Sequence, residues 1–198
     1  MSLHTLIVAA GSGSRFGGDI KQLSLINGET ILQRAVRFAD VITPNKTTVV
    51  LGFQHEALKL FVKKAKVVVN HRWAEGMGSS IAYGVASLPP SATAVLVMLC
   101  DQVALTLEHY TFLVNKFGVL IQENQSNIAP ILCAEYANSL GVPAIFPRYY
   151  FDQLCDLKGD VGAKKILQTN PVFSVPLESA AIDIDTQENL AFFLAKQI

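Results

Sequence analysis

The sequence predicts a single α/β domain built on a mostly parallel sheet. Short apolar runs with strand character alternate with segments that carry a helical apolar face, and this alternation is typical of strands joined by crossover helices. The first strand leads into a glycine-rich loop, the position at which α/β sheets commonly bind a ligand. The chain has 198 residues, 51% of them hydrophobic, so it can bury one core. We therefore assign residues 1–198 to one domain.

The apolar patterns place the individual elements along the chain. The first strand is the apolar run that ends before Gly11. Further strands are predicted over 47–51, 66–70, 93–99, 127–133, 141–147 and 172–176. Helices are predicted over 31–39, 54–61, 81–88, 107–119, 149–157, 163–167 and 189–196. No repeat, low-complexity segment or linker interrupts this alternation, as expected for one domain.

The composition argues against several classes of function. The formal net charge is zero, which argues against an extended basic surface, so we expect no nucleic acid partner. No apolar run is long enough to cross a bilayer, so we expect no membrane association. The few residues before the first strand leave no room for a signal peptide. The three widely spaced cysteines suit neither a disulfide framework nor a zinc site, and we expect a cytoplasmic protein.

The loop after the first strand has the composition of a polyphosphate site. Its four glycines permit backbone conformations closed to other residues and let a ligand approach the main chain. Ser12 and free backbone N–H groups can face phosphate oxygens, while Arg15 and Lys21 add two cations. The dinucleotide pattern G-x-G-x-x-G fails at Phe16, and the Walker pattern fails because the lysine comes three residues after Gly18. We interpret the loop as a phosphate cradle, and a loop that binds nothing is the alternative.

Carboxylates that follow later strands could hold a metal ion. Asp101 comes just after the most apolar strand, 93–99, and so lies at the carboxyl edge of the sheet, where ligands bind. Asp101 could instead cap the following turn, but Thr106 is already available as the cap of the next helix. Asp183 and Asp185 alternate with apolar residues, so their carboxylates share one face. Carboxylates from two parts of the chain, completed by phosphate oxygens and water, suit Mg²⁺.

Two further turns contain candidate functional residues. Ser79 or Ser80 could begin a helix whose free N–H groups face an anion or the polar edge of a base. Trp73, in the same loop, could offer a stacking surface for a ring or could pack beneath the loop. Asp160 lies in a third glycine-containing turn, where we predict that it caps the next helix.

The order of these motifs resembles that of the molybdenum cofactor nucleotidyltransferases, and in particular their cytidylyltransferase branch. The similarity extends over nearly the whole chain. It depends on Ala9-Ala10-Gly11-x-Gly13-x-Arg15-Phe16-Gly17 with Lys21-Gln22-Leu23, Asn70-x-x-Trp73-x-x-Gly76-Met77-x-Ser79-Ser80, Asp101-Gln102, Gly141-x-Pro143-x-x-Phe146, Gly159-Asp160-x-Gly162-Ala163 and Asp183-Ile184-Asp185-Thr186. The chain departs from the family pattern at Phe16, at Val103 and in a spacing before Lys21 that is one residue longer.

The resemblance implies a Rossmann-like, three-layer nucleotidyltransferase fold and a set of functional residues. The nucleotide-binding residues that it implies are Ala10, Gly11, Ser12, Gly13, Arg15, Lys21, Ser79, Ser80 and Asp101. The catalytic residues would be Arg15, Lys21 and Asp101. Mg²⁺ would be held by Asp101 and Asp183, with Asp185 as the alternative to Asp183.

The resemblance also implies the reaction. The chain would transfer a nucleoside monophosphate, CMP from CTP, to a phosphorylated acceptor of the molybdopterin type and release pyrophosphate. A molybdoenzyme could dock as a further partner. Open alternatives are another phosphorylated acceptor, or a non-catalytic nucleotide- or cofactor-binding partner of a molybdoenzyme. A dinucleotide-dependent oxidoreductase would need an acid near the end of the second strand, and Leu51-Gly52-Phe53 offers none.

Overall fold

The structure, a computed structural model, describes residues 1–126 and 128–196. Short 3₁₀ turns fill several connections, among them Ser14–Phe16, Lys21–Leu23 and Glu178–Ala181. The helices and strands, in chain order, are β1 (Leu3–Ala9), β2 (Leu25–Ile26), β3 (Glu29–Thr30), α1 (Ile31–Ile42), β4 (Thr47–Leu51), α2 (His55–Leu58), β5 (Lys66–Val69), α3 (Met77–Ala86), β6 (Ala94–Leu99), α4 (Leu107–Glu123), β7 (Ile131–Tyr136), β8 (Ser139–Pro147), α5 (Phe151–Cys155), α6 (Lys164–Thr169), β9 (Val172–Pro176) and α7 (Gln187–Ala195).

Within the described residues, seven strands form one sheet in the order β5-β4-β1-β6-β8-β7-β9. Strand β8 is antiparallel to both of its neighbours, and the other pairings are parallel. The chain builds outward from β1 to β4 and β5, and then returns to place β6 on the other side of β1. The strand order therefore reverses between β1 and β6, and this switch point creates a crevice at their carboxyl ends. The predicted α/β class with a mostly parallel sheet is confirmed.

Apolar side chains cover both faces of the sheet. On one face Ile7 of β1 belongs to the same core as Leu32 of α1 and Leu113 of α4. On the other face Leu6 belongs to a core with Ile81 of α3 and with side chains of α5 and α6. Successive strand residues point to opposite faces, so strands buried on both sides are mostly apolar at consecutive positions. The three-layer arrangement explains why the strands contain the apolar runs that are visible in the sequence.

Helix α3 begins earlier than the sequence predicts. The predicted helix 81–88 starts in the structure at Met77, and Gly76 is its N-cap with φ 110° and ψ 177°. Glycine tolerates this backbone conformation, which L side chains rarely adopt. Ser79 and Ser80 therefore lie within the first turn of α3 rather than at its start.

The boundaries of other elements also differ from prediction. The acidic segment 182–185, where acidic and apolar residues alternate, has no regular secondary structure and follows the Glu178–Ala181 turn. The strand predicted over 127–133 forms as β7, which begins at Ile131, and residue 127 lies outside the described residues. The apolar pattern did not predict the short hairpin of β2 and β3. None of the described helices is long and apolar enough to span a membrane.

Candidate functional site

A cavity of about 350 Å³ opens at the carboxyl ends of β1 and β6. One part of its wall is the glycine loop after β1, together with Lys21 and Gln22. A second part is Cys100 and Asp101, which follow β6. The remainder of the wall comes from the loop before α3, from the first turn of that helix and from Asp160. The cavity therefore lies at the switch point of the sheet, where the first loop and Asp101 were expected to meet.

The glycine loop is shaped by its backbone and supported from below by one side chain. Gly13 has a left-handed conformation with φ 58°, and a Cβ there would lie 3.2 Å from the Cβ of Lys21. Gln22 is buried, and its Nε2 donates to the carbonyl oxygens of Gly11 at 2.9 Å and Ala9 at 3.4 Å. Gln22 thus positions the loop, although sequence reasoning did not select it as a site residue.

Lys21 is a buried cation held by two carboxylates. Its Nζ donates to Oδ2 of Asp101 at 2.6 Å and to Oδ1 of Asp185 at 3.5 Å. Burial alone would lower the pKa of Lys21, but the charge of Asp101, the hydrogen bond to Asp101 and the charge of Asp185 outweigh it and raise the pKa. Lys21 is therefore positively charged at neutral pH and has a defined position at the cavity.

A backbone hydrogen bond holds the acidic segment beside Asp101. The N–H of Ile184 donates to the carbonyl oxygen of Asp101 at 3.2 Å, and the side chain of Ile184 is fully buried. Asp183 and Asp185 flank Ile184 and so lie beside Asp101. Desolvation of its carboxyl group, together with the charges of Asp101 and Asp185, raises the pKa of Asp183 to about 6, although the residue as a whole is exposed. Thr106 caps α4, so Asp101 is not needed as its cap.

Arg15 lies at the mouth of the cavity and not inside it. Its Nη2 donates to Oδ2 of Asp185 at 2.9 Å, and 73% of its side chain is exposed. Asp185 consequently accepts hydrogen bonds from both predicted phosphate-binding cations. A second link reaches the next element, because Nε2 of Gln187, the first residue of α7, donates to Oδ2 of Asp19 at 2.9 Å. The glycine loop is thus attached both to the acidic segment and to the start of α7.

The structure separates the two predicted serines. Ser80 is buried and lines the cavity. Ser79 instead donates to the carbonyl oxygens of Arg72 and Gly76, and it accepts from Nδ2 of Asn70, so its hydroxyl supports the loop. Asn70 Nδ2 also donates to Ser80 at 3.1 Å. The cavity wall includes Ser80 but not Ser79.

Trp73 and Asp160 also line the cavity. The ring of Trp73 makes an edge contact with Phe53, with ring centroids 5.5 Å apart, and a Cβ at Gly52 would collide with Trp73. Trp73 therefore packs against neighbouring residues and also lines the cavity. The prediction that Asp160 caps a helix is wrong, because α6 begins only at Lys164. No local pattern would have placed Asp160 in the cavity, since distant packing positions it.

The carboxylates suit a divalent cation that is shared with a phosphate ligand. In residues 1–126 and 128–196, no group of three or more His, Cys, Asp or Glu side chains has a metal-binding arrangement, so these residues do not form a complete coordination shell. Mg²⁺ commonly takes one or two carboxylates and completes its shell with phosphate oxygens and water. Asp101 and Asp183 carry carboxylate oxygens, the type of ligand that such an ion takes. Desolvation and the two neighbouring carboxylates raise the pKa of Asp183, and a cation bound nearby would lower it again.

The site does not contain an activated thiol. Cys100 is buried beside Asp101 and lines the cavity. Burial and the charge of Asp101 raise the pKa of the Cys100 thiol to about 12. The reactive form of cysteine is the thiolate, so Cys100 is not suited to nucleophilic catalysis.

Comparisons with known proteins address the family and the fold. The profile of the family described as "MobA-like NTP transferase domain" matches residues 5–175. Nicotine blue oxidoreductase of Paenarthrobacter nicotinovorans is 28% identical over 201 residues, which cover 93% of this chain and 93% of that protein. Bifunctional protein GlmU of Streptococcus agalactiae serotype V is 30% identical over 142 residues, 71% of this chain but only 30% of that protein. The crystal structure of Rv0371c complexed with manganese, from Mycobacterium tuberculosis H37Rv, has a TM-score of 0.78 at 21% identity over 100% of both chains, and it supports the fold.

Proposed function

Since the chain belongs to the family of MobA-like NTP transferase domains, which makes it a nucleotidyltransferase, we propose that it transfers CMP from CTP to a phosphorylated acceptor of the molybdopterin type. The observation that supports this proposal is the position of Lys21 between Asp101 and Asp185 at a cavity lined by a glycine loop. A cation for phosphate and carboxylates for a metal ion are thereby adjacent, as transfer from a nucleoside triphosphate requires.

In the proposed reaction, a phosphate oxygen of the acceptor attacks the α-phosphorus of CTP. A new P–O bond forms there, while the bond between the α-phosphorus and the bridging oxygen of the β-phosphate breaks. The electron pair of that bond leaves with pyrophosphate. A phosphate nucleophile is already ionised at neutral pH, so no general base is needed. Catalysis then depends on positioning and on neutralisation of negative charge.

Different residues would position the substrate and neutralise its charge. Lys21 and Arg15 would stabilise the charge that develops on the leaving pyrophosphate. The backbone of the segment 10–13, with the Ser12 hydroxyl, would cradle the phosphates. Ser80 would lie near the base, whereas Ser79 would act through the loop that it supports.

We propose that the metal ion is Mg²⁺ and that Asp101 and Asp183 hold it. Asp185 is the less favoured ligand, because Arg15 and Lys21 already engage both of its oxygens. When bound, the ion would supply positive charge that neutralises phosphate oxygens.

An oxidoreductase is the second candidate, because one relative is named Nicotine blue oxidoreductase. Dinucleotide enzymes with a Rossmann fold place an acid near the end of the second strand to bind ribose. Here that position is Gly52, where a Cβ would lie 2.7 Å from the carbonyl oxygen of Ala10 and would collide with Trp73. The position has no space for the acidic side chain that would bind ribose in a dinucleotide enzyme. We therefore favour nucleotide transfer over the oxidoreductase.

Pyrophosphate release tests the proposal. We would incubate the protein with CTP, GTP, UTP or ATP and with Mg²⁺ or Mn²⁺, in the presence and absence of molybdopterin. The expected result is release that requires both CTP and the acceptor. In a parallel assay with an added electron acceptor, oxidation of NADH or NADPH, together with no pyrophosphate release, would instead favour the second candidate. Nucleotide binding without turnover under all conditions would favour a non-catalytic binding protein.

A further inference from the structure

Asp160 brings a carboxylate to the part of the cavity wall formed by the start of α3. It belongs to a turn, residues 158–160, that packs against the first residues of this helix. The N–H of Gly78 donates to the carbonyl oxygen of Gly159 at 2.8 Å. A Cβ at Gly76 would collide with Oδ1 of Asp160. The carboxylate therefore lies directly against the backbone at the N-terminus of α3.

Two glycines in α3 and its N-cap make room for this turn. A Cβ at Gly78 would lie 2.9 Å from the carbonyl oxygen of Gly159, and the space beside Gly76 is also filled. Glycine weakens a helix, so its use at both positions needs a reason. The reason is the close approach of the turn that carries Asp160. Packing thus determines the position of Asp160, which is not an arbitrary point on a surface loop.

Within the described part of the chain, no cationic side chain neutralises the charge of Asp160. Its carboxylate has no hydrogen bond or ion pair with any other residue that the structure describes. The two cations of the site, Lys21 and Arg15, pair with Asp101 and Asp185 instead. A carboxylate repels phosphate and can only accept hydrogen bonds. Asp160 therefore suits the part of a nucleotide that donates hydrogen bonds, away from the triphosphate.

The neighbours of Asp160 favour a base over a ribose. Trp73 and Met77 line the same cavity, and a Cβ at Gly162 would lie 3.1 Å from Sδ of Met77, so Met77 is close to the turn that carries Asp160. A base has apolar faces, which suit these two side chains, and a polar edge, which suits a carboxylate. A ribose carries hydroxyl groups and lacks such faces.

We propose that Asp160 accepts a hydrogen bond from the exocyclic amino group of cytosine and thereby selects CTP over UTP. Cytosine presents an N4 donor where uracil presents the O4 acceptor, and Asp and Glu are suited to accept from cytosine N4. A uracil at the same position would place its oxygen against the carboxylate. This inference rests on the proposed function, since it assumes that the cavity binds a nucleotide.

Fluorescence of Trp73 provides a test that needs neither acceptor nor turnover. Trp73 is the single tryptophan of the chain and lies in the cavity, so its quenching by CTP or UTP with Mg²⁺ gives both dissociation constants. For the unmodified protein we expect CTP to bind at least about tenfold more tightly than UTP, as for a hydrogen bond to a charged group. Asp160→Asn should remove this preference, because an amide can also donate to O4. Asp160→Ala should weaken CTP binding to the level of UTP.

Asp156→Asn is the matched control, since it removes another exposed carboxylate close in sequence but outside the cavity. It should keep the CTP preference. An unchanged preference in Asp160→Asn, or an equal loss of CTP and UTP binding, would overturn the proposal, as would failure of the unmodified protein to bind either nucleotide. Failure of the proposed function gives a different result. The unmodified protein would then release no pyrophosphate, but fluorescence would still show that it binds CTP more tightly than UTP.

Discussion

The two cations of the site share Asp185 but lie in different environments. The side chain of Lys21 is 10% exposed and donates to Asp101 at 2.6 Å, whereas that of Arg15 is 73% exposed and donates to Asp185 at 2.9 Å. Loss of one partner from a buried pair leaves an uncompensated charge, while an exposed pair contributes little to stability. Lys21 therefore has a fixed position in the site, whereas Arg15 is exposed, and under the proposed function we expect it to move toward an incoming phosphate.

The largest effect is expected at Asp101, the main partner of the buried cation. Asp101→Asn removes the proposed metal ligand and the charge that holds Lys21, so we expect kcat/KM for pyrophosphate release to fall by about 10²- to 10³-fold. Circular dichroism should still show cooperative thermal unfolding. Asp156→Asn serves as the control because it leaves the site intact. Near-normal turnover in Asp101→Asn would remove Asp101 from the mechanism.

The two cations can be compared directly by parallel substitution. Lys21→Met should lower kcat by about 10²-fold, because a preorganised charge is lost from the reaction centre. Arg15→Met should act mainly on KM, by about three- to tenfold, and its effect should shrink at high salt because an exposed charge is screened. Steady-state kinetics at low and high ionic strength measure both. Equal effects, with equal dependence on salt, would mean that burial does not distinguish the two cations.

The packing around the fixed part of the site can be tested at Gly52. Gly52→Ala would force a Cβ to within 2.7 Å of the carbonyl oxygen of Ala10 and against Trp73, so we expect the free energy of unfolding to fall by about 2 kcal/mol. Urea denaturation measures this change. Gly118→Ala in α4 is the control, since no atom lies within 4 Å of its Cβ position, and it should stabilise the protein by about 0.5–1 kcal/mol. If both variants changed stability alike, tight packing at Gly52 would be disproved.

The smallest effect is expected at Asp183, on the exposed side of the site. Its pKa is about 6 in the fold and 3.8 ordinarily, so the folded state binds the proton more tightly. Without metal, ionisation of Asp183 therefore destabilises the fold as pH rises from about 4 to about 6, and the full cost is present above that range. In EDTA at about pH 8, Asp183→Asn should raise the free energy of unfolding by about 1 kcal/mol or less, after allowance for solvent screening. The gain should nearly vanish at about pH 4, and a pH-independent gain would contradict this assignment.

Much of the site could be predicted because its residues directly follow strands. The apolar run before Gly11 and the run before Asp101 both end at the carboxyl edge of the sheet, so their position follows from a local pattern. Ser79 and Ser80 show the limit of this reasoning. Neighbouring residues on a helix point in directions about 100° apart, and α3 starts at Met77 instead of residue 81, so only the structure shows which of the two faces the cavity.

Asp160 shows a second limit. Between two glycines it had the local features of a helix cap, and no pattern around it indicated the contact with Gly76. That contact depends on chain segments that are distant in sequence and that meet only when α3 packs beside the turn. Gln22 is similar, since its bonds to the glycine loop depend on burial that the sequence does not display.

The sequence by itself determined the α/β class, the mostly parallel sheet and the presence of a glycine loop and an acid after two strands. These features depend on periodicity and on residue type over short stretches, which can be recognised without coordinates. The tertiary structure alone decided that Lys21 pairs with Asp101, 80 residues away, and with Asp185, 164 residues away. Such pairs form through space when strands from distant parts of the chain lie side by side. A local sequence pattern therefore cannot predict them.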